Sequence, residues 1–218
     1  MRFLCLHGVG DNAQILQHQT AAIRYELSDQ HTYEFVEGAI PWKASNQDAV
    51  HSDEATFTYC DPYQADSCLR AIHDLDRFFE DEGPFDGMIG FSLGACLTIT
   101  WLKHKQNALE MGEIARLPVQ VAILFGASHV YDCTMLEKGS TVGLDPSHPG
   151  LRLDVPSVHI WGSQDPLKSL AQRTTDFFNP ERLSIYVHEK GHVIPSSIEE
   201  VVCVVKAINR AIGAICPE

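Results

Sequence analysis

One stretch, Gly87-Met88-Ile89-Gly90-Phe91-Ser92-Leu93-Gly94-Ala95, constrains the fold more than any other. A short apolar run ends in Gly-x-Ser-x-Gly and passes directly into Ala95-Cys96-Leu97-Thr98-Ile99, which reads as the start of a helix. Strand, sharp turn and helix in that order is the setting in which a serine is lifted clear of a sheet as a nucleophile. Gly90 and Gly94 lack a Cβ, so strand and helix can close around the turn. Ser92 then stands at a helix N-terminus, where free N–H groups and the helix dipole favour a developing negative charge. Without those flanks the pentapeptide would fit an ordinary loop equally well.

The rest of the chain alternates in the same way. Phe3–Leu6 reads as a buried strand ending in the turn His7-Gly8-Val9-Gly10. Asp11 or Asn12 can cap a helix carrying Ile15, Ala22, Ile23 and Leu27. Thr32–Val36 is a second strand. Residues 40–65 read as a loop region, with a short strand at Thr56–Tyr59. A helix begins at Asp66, carries Leu69, Ile72, Leu75 and Phe79, and stops at Glu82-Gly83-Pro84. The elbow strand, Gly87–Phe91, leads into a helix running to about Gln106. Val119–Phe125 is apolar enough to be covered on both faces. Residues 127–154 form a long irregular segment, and a loop of that length is usually functional. Ser157–Trp161 is a fifth strand, Leu167–Phe178 a helix and Leu183–Val187 a sixth strand. The last helix starts near Ser196 or Ser197 and carries Ile198, Val201, Val202, Val205, Ile208 and Ile212. Such alternation predicts right-handed crossovers in one α/β domain over residues 1–218: a mostly parallel sheet of about six strands with helices on both faces. The loops at 40–65 and 127–154 are its cap or pocket segments.

Composition narrows the classes of function. The 218 residues carry a net charge of −13, which argues against wrapping nucleic acid. No apolar run reaches the ~20 residues of a membrane span, and the N-terminal run is too short for a signal core. Seven cysteines without a Cys-x-x-Cys pair imply a reduced, cytoplasmic protein with no disulfide framework. No His-x-x-x-His on a helix and no Cys/His cluster appears, so neither a metal nor any other cofactor is expected. Gly8-Val9-Gly10, with Glu37 after the second strand, is a weak dinucleotide signal, since Ala13 stands where a third glycine belongs.

In parallel sheets the reactive groups gather beyond the carboxyl ends of the strands. A nucleophilic serine therefore predicts an acid and then a histidine past later strands. The fifth strand runs into Gly162-Ser163-Gln164-Asp165-Pro166, and the sixth into Glu189-Lys190-Gly191-His192. His192 is suited to take the serine proton near neutral pH, and Asp165 to hold the imidazole tautomer. The N–H groups of Leu93 and Val9 are the expected oxyanion donors. Taken singly, Asp165 is a common turn residue and His192 one of eleven histidines. The order of the three is what raises them. His129, His148 and His188 are rival bases, Asp132 and Asp145 reserve acids, and Glu189 lies too close to His192 in sequence. His7 reads as structural.

Leu6-His7-Gly8, Gly83-Pro84-Phe85-Asp86-Gly87 before Gly-Phe-Ser-x-Gly, Trp161-Gly162-x-x-Asp165-Pro166 and Gly191-His192-x-x-Pro195 together resemble the FSH-type serine hydrolases. These are small eukaryotic, mainly fungal proteins of the α/β-hydrolase fold. The resemblance implies Ser92 as nucleophile, Asp165 as acid, His192 as base, and Val9 and Leu93 as oxyanion donors. Leu93 departs from the glutamine frequent after the nucleophile, and Val9 from an aromatic residue. Some members are similar to thioesterases that release polyketide chains from a carrier domain.

The resemblance thus implies an esterase or thioesterase on a small acyl substrate, in secondary metabolism, with an acyl carrier domain as a conceivable partner. Trp42, Phe57, Tyr59, Tyr63, Val130, Tyr131 and Leu144 are candidates to line an acyl pocket. Lys103, Lys105 and Arg116 are the candidate basic patch for a carrier. The competing reading is a non-catalytic scaffold that binds a small molecule.

Overall fold

The computed structural model describes residues 1–27, 30–43, 55–146 and 152–215. In chain order its strands are β1 (Arg2–Leu6), β2 (Thr32–Val36), β3 (Ile40–Pro41), β4 (Phe57–Thr58), β5 (Gly87–Phe91), β6 (Val121–Phe125), β7 (Ser157–Gly162) and β8 (Leu183–His188). Six of them form one sheet in the order β2-β1-β5-β6-β7-β8, with every neighbouring pair parallel. β3 and β4 make a separate antiparallel pair. β5, β6 and β7 are buried along their whole length, which is why β5 and β6 are unbroken apolar runs, while β7 buries Ser157 and His159 as a hydrogen-bonded pair. β8 is an edge strand and alternates, with Ile185 and Val187 facing outward.

The helices are α1 (Ala13–Gln19), α2 (Ala21–Glu26), α3 (Ala65–Glu82), α4 (Leu93–Glu110), α5 (Cys133–Glu137), α6 (Lys168–Thr174) and α7 (Ile198–Gly213). They cover two separate cores. On one face Ile72, Phe85, Leu97 and Trp101 pack α3 and α4 against the sheet. On the other, Leu16, Ile23, Val204 and Ile208 pack α1, α2 and α7. Trp101 is fully buried, and its indole N–H donates to Asp76 at 2.6 Å. That bond removes the cost of burying the polar end of a large apolar ring. Ser197 caps α7 in a capping box with Glu200.

Three expectations change. The first helix breaks at Thr20, whose hydroxyl donates to the Leu16 carbonyl at 2.8 Å. The buried stripe is Leu16, Thr20, Ile23 and Leu27, which keeps one helical period across the break, while Ala22 faces solvent. Asn12 rather than Asp11 is the cap, its side chain accepting from Ile15 N at 2.7 Å. The segment after β6 is not wholly irregular: it holds α5, capped by the Asp132 carboxylate. Finally, the helix expected to reach Phe178 tightens into a 3₁₀ turn at Thr175–Phe177.

β2 lies on one side of β1 and β5 on the other. The chain changes winding direction there, opening a crevice beyond the carboxyl ends of β1 and β5. His7-Gly8-Val9 leaves β1 into that crevice, and Ser92 leaves β5 into it.

Candidate active site

Ser92 is the one non-glycine residue with positive φ among the described residues (φ 51°, ψ −116°). A serine in that region is strained and persists only where its surroundings fix it. Its N–H donates to the Phe125 carbonyl at 2.8 Å, and α4 starts at the next residue. A Cβ on Gly94 would collide with the Leu6 carbonyl, and one on Gly90 would lie 2.6 Å from Ala95 N. Strand, turn and helix can therefore close only with glycine at both positions.

Two later loops reach the same place. His192 lies between β8 and α7, and its Nε2 is 2.9 Å from Ser92 Oγ. Its Nδ1 is 2.6 Å from Asp165 Oδ2. Asp165 follows β7 and is 2 % exposed. Its other oxygen accepts from Leu167 N at 2.8 Å, which fixes the carboxylate plane. The imidazole also packs against Phe91, with ring centroids 5.2 Å apart. With Nδ1–H donating to the carboxylate, Nε2 is left to accept the serine proton. The Asp165 bond is charge-assisted and strengthens when the ring becomes positive.

Val9 is exposed at the mouth of the crevice, and Leu93 is the first residue of α4. The neighbouring amides of Gly10 and Asp11 are consumed, donating to Phe57 O at 2.9 Å and Gly8 O at 3.3 Å. Leu93 N–H, in the first turn of α4, has no intrahelical acceptor.

His7 lies fully buried behind this turn. Its Nδ1 donates to Gly8 O at 2.7 Å, and its Nε2 accepts from Gly38 N at 3.0 Å. Burial lowers its pKa, opposed by the Gly8 carbonyl and by Glu37. Glu37, the acid of the dinucleotide reading, is occupied here, lying 3.1 Å from His7 Nε2 and accepting from Ala13 N at 3.2 Å. The Tyr59 hydroxyl accepts from His7 N and donates to Val36 O, both at 2.8 Å.

The rival candidates fall elsewhere. His129 stacks edge-on against Tyr131, and His188 is buried, its Nδ1 accepting from Lys190 N at 3.3 Å. His148 lies outside the described residues. Asp132 caps α5, Asp145 lines two neighbouring cavities, and Glu189 is exposed. Among the described residues no group of three or more His, Cys, Asp or Glu side chains could hold a metal.

One acid enters the site from a position that the sequence assigns to helix capping. The Asp11 carboxylate faces the crevice, and burial pushes its pKa up to about 6 against the opposing pull of His192. The sequence holds no signal that separates the two caps, since Asp11 precedes Gln14 by the same three residues as Asn12 precedes Ile15; the bond from Ile15 N to Asn12 Oδ1 decides it.

The expected acyl-pocket residues divide. Val130 and Tyr131 are buried in the core, while Tyr63 is 84 % exposed. Leu144 lines both a cavity of about 420 Å³, with Lys103, Tyr131 and Phe177, and one of about 310 Å³, with Ser128, His129 and Leu170. Neither is walled by Ser92, Asp165 or His192.

Comparison with known proteins supplies the family and the fold. Residues 1–204 match the family model described as "Serine hydrolase (FSH1)". The chain is 34 % identical over 217 residues to "Esterase FPY3" of Fusarium mangiferae, covering 97 % of each. It is 27 % identical over 214 residues to "Esterase C25G4.2" of Caenorhabditis elegans, covering 90 % of this chain and 87 % of that one. In fold it is similar to a carboxylesterase from Mesorhizobium loti, with TM-score 0.62 and 17 % identity over 95 % of this chain and 88 % of that one. Parallel sheet, strained serine and family match converge: the chain belongs to the FSH1 serine hydrolases, ester-hydrolysing enzymes of the α/β-hydrolase fold.

Proposed function

We propose that Ser92 is the nucleophile, His192 the general base and Asp165 the orienting acid of an enzyme that cleaves carboxylic esters or thioesters. The observation that carries this reading is the unbroken relay Ser92 Oγ–His192 Nε2 (2.9 Å) and His192 Nδ1–Asp165 Oδ2 (2.6 Å). Ser92 Oγ attacks the acyl carbon while its proton passes to Nε2. The tetrahedral oxyanion is received by the N–H groups of Val9 and Leu93. The bond to the leaving oxygen or sulfur then breaks, and the leaving group takes the proton from Nε2. Water repeats the sequence on the acyl-enzyme: its proton goes to Nε2, the acid departs, and Ser92 recovers its hydrogen.

Exposed Val9, Leu167, Leu170 and Val193 support an apolar acyl or alcohol group in the substrate. The narrower reading is release of a polyketide or similar chain in cytoplasmic secondary metabolism. Free thiols among the described residues support a reducing compartment, and no described helix is long and apolar enough to cross a membrane. Delivery by a carrier domain has less support. Lys105 is paired with Asp76 at 2.6 Å and Lys103 donates to Gln106 at 3.2 Å, which weakens the candidate basic patch. A free small-molecule ester or thioester is therefore the favoured substrate.

The test is a panel of p-nitrophenyl esters and acyl-pantetheine thioesters of graded length, with kcat/KM compared for wild type and Ser92→Ala. Loss of turnover in a variant with unchanged melting supports the reading. Normal turnover by that variant, or absence of Ser92-dependent labelling by a fluorophosphonate, overturns it in favour of a binding scaffold.

A further inference from the structure

Asp11 is not accounted for by the fold or by the relay. Its backbone is fully engaged: N–H donates to Gly8 O at 3.3 Å, and its carbonyl accepts from Phe57 N at 2.7 Å in a bridge between the two residues. The adjacent helix is capped by Asn12. Among the described residues the side chain is thus held in place by neighbours that do not use its carboxylate, and burial and the His192 charge govern that group's ionisation.

Its position is unusual for such a group. The point where a Cβ on Gly8 would lie is 3.3 Å from Asp11 Oδ2 and 3.3 Å from Ser92 Cβ. The acid and the nucleophile therefore both border the same Cβ-free spot beside Gly8, together with Phe91 Cδ1 at 3.2 Å. The groups facing it are the Ser92 side chain from the elbow, the His192 ring from the β8–α7 loop and, behind the turn, Tyr59. It also stands two residues from Val9, whose N–H is the proposed oxyanion donor.

A half-buried carboxylate without a hydrogen bond is costly. Beside a developing oxyanion, its charge would also oppose the reaction of a plain ester. A hydroxyl on the substrate offsets the first cost by supplying a donor, and an ammonium group offsets both. Resting on the hydrolase reading above, we infer that Asp11 is a specificity-determining residue that binds a hydroxyl or ammonium group on the substrate close to the scissile carbonyl and rejects a carboxylate there. The substrate class is accordingly hydroxy- or amino-substituted acyl esters and thioesters. A site built to bond a substrate hydroxyl discriminates strongly against the analogue that lacks it, because the site's own polar group is left unpaired.

The experiment compares kcat/KM for the p-nitrophenyl esters of butyrate, 3-hydroxybutyrate, 3-aminobutyrate and hemisuccinate at pH 7.5. Wild type is expected to favour the hydroxy or amino ester over butyrate by about tenfold or more, and to disfavour hemisuccinate by a similar factor. In Asp11→Asn and Asp11→Ala, both checked by thermal melting, the hemisuccinate-to-hydroxybutyrate ratio is expected to rise at least about tenfold. Equal wild-type turnover of all four esters overturns the inference, as do ratios unchanged in a folded variant. Either result leaves the hydrolase reading intact, since turnover of butyrate that depends on Ser92 tests that separately.

Discussion

A Cβ on Gly126 would lie 2.7 Å from Cε1 of His192. Gly126 ends β6 with φ +60°, and its N–H donates to Ile160 O at 2.8 Å. The backbone of one strand end therefore forms the wall against which the imidazole rests. Gly126→Ala is expected to push the ring off Ser92. A displacement near 1 Å costs on the order of 10²-fold in rate. The left-handed backbone adds roughly 1 kcal/mol of destabilisation. Kinetics on a p-nitrophenyl ester, paired with thermal melting, checks both. Full activity would show that the ring does not depend on this wall.

Asp165→Asn tests the orienting acid apart from packing. The amide oxygen can still accept from Leu167 N, so the turn should survive. The amide cannot fix the required imidazole tautomer or stabilise its positive form, and kcat is expected to fall by about 10³–10⁴. A loss below tenfold in a folded variant would assign the acid to another residue.

His159 gives the protein an acid-sensitive stability. It is fully buried on β7, its Nε2 lies 3.1 Å from Ser157 Oγ, and it stacks edge-on against Phe178. Burial lowers its pKa from 6.5 to about 3. The folded state thus holds the neutral ring while the unfolded chain takes a proton below pH 6.5. The sign follows: stability is unaffected above that pH and falls as pH drops from 6.5 toward 3. At pH 5 the loss is about 2 kcal/mol. Melting curves from pH 7 to 5 should show wild type losing more than His159→Gln. Parallel pH dependence of the two would refute the assignment.

Ser197→Ala removes a cap remote from the chemistry. The Ser197 side chain accepts from Glu200 N, and the Glu200 side chain accepts from Ser197 N at 3.2 Å. Glu200 is also paired with Lys190 Nζ at 2.8 Å, so its pKa is held near 2 by that contact first and by Ser197 next. Loss of the cap is expected to cost about 1 kcal/mol, lowering Tm by roughly 2–4 °C in a chain of this size. The Lys190 pair survives, and kcat/KM should stay within about twofold by the same reasoning that a cap stabilises its own helix only. Differential scanning calorimetry and steady-state kinetics read the two.

Local periodicity was enough to place most of the scaffold. An unbroken apolar run as short as Val121–Phe125 reads by its length as a strand covered on both faces, and the 3–4 spacing of Leu69, Ile72 and Leu75 reads as a one-sided helix. The residues at the ends of those elements, Ser92, Asp165 and His192, are therefore visible before any fold is known, because a parallel sheet carries its strand ends to one edge. The sequence alone thus determined the alternation of elements and which side chains that edge presents.

Tertiary structure decided what depends on contacts between distant segments. The pairing of Asp11 with Phe57 joins residues 46 positions apart, and no local pattern encodes it. That pairing, with Asn12 taking the cap, turned a helix-start acid into a wall of the crevice. Which side of α1 and α2 is buried was also decided by packing: Leu16, Ile23 and Leu27 meet the helix α7 side of the sheet, and Ala22 does not. That Val130 fills the core, while Tyr131 is core and also walls the cavity beside Lys103, was likewise settled by packing, since only the neighbours of an apolar side chain choose its use.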